Sequence, residues 1–220
     1  MDTPPLPAPG SRRRLLLGAV ALLAVALAGT LAARFLLNSA AHAPVTQVAL
    51  VYPAPRALPP FTLTAGDGSP FDASRLRGHF TFVLFGYTNC PDVCPTTLIE
   101  LKRVRELLAD LPAPEQPAVV LVSVDPRRDT PERLGAYVSH FDPTFVGLTG
   151  AETQIVTLAQ AVGVAIERGE ERDGSYSVDH TAALFLIDPG AHVAAVFPTP
   201  HAAATIAGDY RAIAARAAGG

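Results

Sequence analysis

The sequence predicts an α/β domain, a central mixed sheet flanked by helices, behind one apolar amino-terminal helix. Three observations carry this. Residues 15–33 form a run of 19 without charge. From Phe61 onward, short β-branched and apolar runs alternate with amphipathic ones. A cysteine pair, Cys90 and Cys94, sits where one such strand gives way to a helix. The chain has 220 residues, 49% of them hydrophobic, enough for one domain with a sizeable core and an extra segment. The net charge is −3, opposite to the basic bias that nucleic-acid binding needs.

At 1.5 Å per residue, the apolar run spans about 28 Å, close to the hydrocarbon thickness of a bilayer. It follows Arg12-Arg13-Arg14, and basic residues stay on the cytoplasmic side. The expectation is therefore a cytoplasmic segment 1–14 and a single-pass anchor 15–37 in the inner membrane. A spacer 38–56 and a periplasmic domain 57–215 follow. The spacer is inferred from Pro44, Pro53 and Pro55, with Pro59 and Pro60 just beyond, since proline at this density extends a chain. Ala41-His42-Ala43 also fits a signal-peptide cleavage pattern, but the apolar run is longer than the usual signal core.

The elements follow in order. Residues 80–85 read as a buried strand. Residues 95–110 read as a helix, with apolar residues at Leu98, Leu101, Val104 and Leu108. Residues 118–124 are a second buried strand. Asp129 or Thr130 caps a helix that has Pro131 in its first turn and runs to about His140. Residues 145–148 suit a short strand and 151–162 a third helix. Strands 182–187 and 192–197 flank the turn at Pro189-Gly190, and 201–214 closes as a helix. An early βαβ unit followed by a hairpin and helix suits a thioredoxin-like layout.

Two cysteines this close make a poor structural staple, because they close a very short loop. Such a pair suits redox chemistry or metal binding. At a helix amino terminus, free amides and the helix dipole favour the thiolate. Structural zinc wants four ligands, and only two cysteines exist. Among His42, His79, His140, His180, His192 and His201, position singles out His180, in Val178-Asp179-His180-Thr181 directly before strand 182–187, since in a thioredoxin-like layout the loop before that strand faces the cysteine loop. The other five read as structural or solvent-facing. Two thiolates and an imidazole suit Cu(I) and, with a further weak ligand, Cu(II). The only methionine is Met1, so such a site rests on Cys and His. Asp179 is a candidate to orient the imidazole. Asp125 and Asp129 read as strand-end and cap residues, or as a loop beside the site.

The segments Phe85-Gly86-Tyr87-Thr88-Asn89-Cys90-Pro91-Asp92-Val93-Cys94-Pro95, Val124-Asp125-Pro126-Arg127-Arg128-Asp129-Thr130-Pro131 and Val178-Asp179-His180-Thr181 resemble those of the Sco/SenC family of copper proteins. The resemblance spans about residues 57–215. It implies a thioredoxin-like fold, copper ligation by Cys90, Cys94 and His180, and delivery of copper to the dinuclear centre of cytochrome c oxidase subunit II. Other periplasmic copper carriers are further candidate partners. It equally allows a thiol–disulfide reductase of the copper-accepting partner, with Cys90 and Cys94 as its redox pair. A thioredoxin-like peroxidase is a third reading. The metal carrier is favoured because a pure oxidoreductase needs no histidine beside its thiols. No proline occurs in 180–187, where a thioredoxin-type oxidoreductase carries one.

Overall fold

The computed structural model describes residues 9–41, 45–171 and 175–218; His42 and the small-residue pattern around it lie outside them. Two compact units divide between residues 43 and 44.

The first unit is α1 (Pro9–Ala41), 33 residues long and so longer than the expected 15–37. Its window Leu17–Arg34 is long and apolar enough to cross a membrane, with none of it buried by protein. A helix in a soluble core buries its apolar face, and this one does not. Length and composition fit an anchor and a signal segment alike.

The second unit is built on strands β1 (Leu50–Ala57), β2 (Thr62–Ala65), β3 (Pro70–Asp72), β4 (Thr81–Gly86), β5 (Ala118–Ser123), β6 (Val146–Thr149), β7 (Ile166–Arg168), β8 (Val178–His180), β9 (Leu184–Ile187) and β10 (His192–Phe197). Its helices are α2 (Val93–Leu107), α3 (Pro131–Phe141), α4 (Glu152–Val162) and α5 (Ala203–Ala218). Eight strands form one sheet in the order β1-β10-β9-β4-β5-β6-β2-β3. The β4–β5 and β5–β6 pairs are parallel, and β9 and β10 return antiparallel on the other side of β4. The expected mixed sheet is thus present. Strand order reverses at β4, so the crevice beyond its carboxyl end is where such a sheet exposes a site. β7 and β8 form a separate hairpin.

Strand alternation sets the two cores. Phe82 and Leu84 of β4 pack with Leu98, Leu101, Leu134, Ile206 and Tyr210 on one face. Val83 and Phe85 pack with Val120, Val122, Ile155 and Leu158 on the other. Every residue of β4 is buried, which is why it reads as a continuous rather than alternating apolar run.

The structure corrects the spacer. Residues 50–57 are an edge strand, paired with β10 at Leu50, Val51, Arg56 and Ala57. The register breaks between Val51 and Arg56, where Pro53 and Pro55 sit. Proline cannot donate to a ladder, so within sheets it is confined to edge strands, strand starts and breaks of this kind. Further upstream, the backbone amides of Gln47, Val48 and Ala49 all donate to the Asp209 carboxylate, at 2.7, 2.9 and 2.8 Å. Asp209 is buried on α5. The folded unit therefore begins well before residue 57.

Candidate metal centre

The cysteines come from the junction of β4 with α2, Cys90 from the turn and Cys94 from the helix. β4 ends at Gly86, the Cys90 amide donates to the Tyr87 carbonyl at 3.1 Å, and α2 starts at Val93. Cys94 is therefore the second residue of the helix. Pro95 is its third, not its first as the sequence predicts. The position remains permissive, because the first four amides of a helix have no partner inside it. Gly86 is required by close packing. A Cβ built there would lie 2.8 Å from the Cys94 Sγ and 3.0 Å from the Leu121 Cδ1.

His180 arrives differently from the expected loop. It is the last residue of β8, and the β7–β8 hairpin presents it. Its Nε2 lies 3.8 Å from the Cys94 Sγ. Its Nδ1 lies 3.3 Å from the Thr181 carbonyl oxygen, which can only accept. The neutral ring thus carries its proton on Nδ1 and turns the Nε2 lone pair toward the cysteines. The Thr181 carbonyl, rather than Asp179, performs this orientation. Asp179 is exposed and acts on the ring through its charge. Burial pushes the His180 pKa down, which keeps the imidazole neutral and able to ligate.

The three ligand atoms of Cys90, Cys94 and His180 lie within 4.8 Å of one another. Among the described residues they are the one group of three or more His, Cys, Asp or Glu atoms close enough to share an ion. The set fits a soft metal. With bonds of about 2.3 Å to sulfur and 2.0 Å to nitrogen, two ligands of one ion sit roughly 3.5–3.8 Å apart, near the observed contact. Both thiols are free; Cys90 is half-buried and Cys94 is buried. Burial raises the Cys94 pKa strongly, the hydrogen bond with Cys90 adds to this, and the Asp129 charge contributes. Desolvation thus opposes the stabilisation expected from the helix terminus.

Around the ligands, Tyr87 sets its ring edge-on to His180, with centroids 6.2 Å apart. Val93, Thr97, Ala183 and His201 line a shallow pocket beside Cys94 and His180. His201 was expected to be structural or solvent-facing. Its ring lies 3.0 Å from the Thr97 hydroxyl and 3.3 Å from the Phe197 carbonyl, a structural role within the wall of the site. Its place four residues after the end of β10 carried no signal, because Thr97 meets it from α2, 104 residues earlier in the chain.

Asp129 does not cap α3. Thr130 does, accepting from the Arg133 amide. Asp129 is instead buried and accepts from the Thr88 amide at 3.1 Å, the Thr88 hydroxyl at 2.5 Å and the Ser123 hydroxyl at 2.6 Å. Asp125 is fully buried, ion-paired with Arg128 and hydrogen-bonded by the Tyr176 hydroxyl at 2.7 Å. Both belong to a loop beside the site.

The chain is similar to known proteins. A Stutzerimonas stutzeri protein is 41% identical over 142 residues, covering 64% of this chain and 68% of that one. An SCO2-like protein of Rickettsia prowazekii is 39% identical over 131 residues, 59% of this chain and 63% of that one. The matched segment thus spans about two thirds of each relative's length. The crystal structure of Arabidopsis thaliana ScoI with copper bound aligns with a TM-score of 0.66 and 32% identity, over 71% of this chain and 97% of that one. Its likeness supports the thioredoxin-like fold expected from the element order. The SCO1/SenC family model matches residues 52–215, which is most of the folded unit and includes both cysteines and His180, and the chain belongs to that family.

Proposed function

We propose that this protein binds copper, as Cu(I) and Cu(II), through Cys90, Cys94 and His180, and delivers it to the dinuclear copper centre of cytochrome c oxidase subunit II. The observation that supports this is the convergence of two thiols and one neutral imidazole within 4.8 Å. Two thiolates satisfy Cu(I), and the imidazole adds the donor that Cu(II) prefers. The half-buried Cys90 leaves one side of the site open, so an acceptor thiol can displace a ligand while the metal is held by the others. In this reading α1 anchors the protein in the inner membrane with the folded unit on the periplasmic side, facing its acceptor. Other periplasmic copper carriers would supply the metal.

The test is anaerobic Cu(I) titration of the folded unit against a competing chelator. The reduced dithiol is expected to hold one copper tightly and the Cys90–Cys94 disulfide none. Cys90→Ser and Cys94→Ser are expected to abolish tight binding. His180→Ala is expected to weaken Cu(II) retention more than Cu(I). One copper retained by the oxidised protein would remove the cysteines from the site.

A second reading is a thiol–disulfide reductase acting on the acceptor's cysteines. The unequal burial of the thiols favours it. Cys90 as thiolate would attack the partner disulfide, giving a mixed disulfide and releasing one partner thiolate. Cys94 would then close the intramolecular disulfide, expelling the second partner thiol. No copper bound in either redox state, with ready turnover of a disulfide substrate, would select this reading.

A further inference from the structure

The loop between β5 and α3 touches both ligand-bearing segments and supplies no ligand. Its own shape is held by the Arg128 and Asp129 amides, which donate to the Asp125 carbonyl at 3.1 and 3.0 Å. Toward the histidine hairpin it presents Asp125 and Arg128. The Tyr176 hydroxyl donates to Asp125, Arg128 Nη1 donates to the Tyr176 carbonyl at 3.0 Å, and the guanidinium stacks 3.8 Å from the Tyr176 ring centre. Tyr176 lies four residues before His180, with Val178 between them, whose amide meets the Tyr87 hydroxyl at 3.4 Å. Toward the cysteine loop it presents Asp129, which binds Thr88 by backbone and hydroxyl. Arg133 follows from α3, donating to the Thr88 hydroxyl at 2.9 Å and to the Asn89 side chain at 2.5 Å. Two buried carboxylates in one loop are costly unless fully bonded. Beside bonds to their own surroundings, at Arg128 and Ser123, each reaches a different ligand-bearing segment, Asp125 through Tyr176 and Asp129 through Thr88.

We propose that Asp125, Arg128 and Tyr176 are positioning residues for His180, and that Asp129 and Thr88 are positioning residues for the cysteine loop. The two grips use different side chains, joined through the Ser123 hydroxyl and through the Tyr87 hydroxyl at the Val178 amide, so breaking the Tyr176 bond acts first on the histidine hairpin. The proposal rests on the copper reading of the site and adds to it a means of setting Cu(II) against Cu(I) binding from outside the ligand set.

The test uses the full chain in detergent, with Tyr176→Phe, Thr88→Val and, as a control on an exposed helix face, Ser139→Ala. Tyr176→Phe removes one hydroxyl and keeps the stacked ring. In metal-free protein it is expected to speed hydrogen exchange at amides 176–181 roughly tenfold, leaving 87–90 unchanged. Thr88→Val is expected to do the converse. With copper, Tyr176→Phe is expected to lower Cu(II) retention about tenfold and alter the visible spectrum, with Cu(I) affinity unchanged. Exchange that rises evenly through the domain, or not at all, overturns the proposal whatever copper does. The expected exchange pattern in a protein that binds no copper supports the two grips and removes the copper reading.

Discussion

Cys94 is held by its surroundings more tightly than Cys90. It lies in the first turn of α2, packed on Gly86 and beside the Asp129 charge, and burial keeps its thiol protonated at neutral pH. The thiolate is the reactive form, so a raised pKa slows attack. Iodoacetamide at neutral pH is therefore expected to label Cys90 first and Cys94 only after unfolding, as peptide mass spectrometry reads directly. Equal labelling would contradict the packing described here. Gly86→Ala tests the same contact from the other side. Its Cβ would force the Cys94 sulfur or the Leu121 methyl to move, at about 1–3 kcal/mol of stability by denaturant unfolding. Cu(I) affinity is expected to fall with it, although both thiols still titrate. The ligands themselves were legible, because cysteine and histidine advertise their chemistry. Their positioning was not. The acceptor that orients His180 is a backbone carbonyl, Thr181, which no residue type reveals. The need for glycine at 86 depends on a helix turn that packs back on the strand end.

At the scale of elements, what the sequence declares follows how each one is stabilised. β4 and β5 are buried on both faces, so their apolar runs announce them. α3 carries its own start signal. Thr130 accepts the Arg133 amide, Pro131 occupies the first position, and Glu132 adds a negative charge to the first turn. Thr130→Ala is expected to cost about 1 kcal/mol, measured by denaturant unfolding, without altering the thiols. A loss near zero would mean that packing of Leu134 and Val138 alone defines the helix start. The hairpins were harder to read. β2 and β3 are four and three residues long, and their turn signal at Asp67-Gly68 lies between runs too short for a period. β7 and β8 have three residues each, and only Val178 among them is buried. Their pairing depends on the Ala165 amide meeting the Thr181 hydroxyl and on the Gly169 amide meeting the Ser177 carbonyl. Long-range bonds of that kind leave no periodic trace. This is why His180 was placed in a loop although it stands on a strand.

At the scale of the molecule, the two units have different grounds for stability. α1 exposes its apolar side chains throughout 17–34, with none of that window buried. The unit from residue 44 onward buries two cores built from its own residues. A chain starting at residue 44 is therefore expected to be water-soluble, to unfold in one cooperative transition and to keep the full chain's copper affinity. A chain starting at residue 57, where the proline density alone would put the boundary, lacks nearly all of β1 and leaves the edge of β10 unpaired. It also strips Asp209 of all three amide partners. A buried carboxylate without donors costs several kcal/mol, so this shorter chain is expected to be less stable by about 3–5 kcal/mol in urea unfolding, and to aggregate more readily. Asp209→Asn in the longer chain separates the two causes. It removes the charge that three amides converge on while leaving β1 in place, and so reads the share of the loss that belongs to Asp209 apart from the exposed edge. If the chains starting at 44 and 57 unfold at the same urea concentration, then residues 45–57 contribute nothing to the fold and the spacer reading of that segment returns.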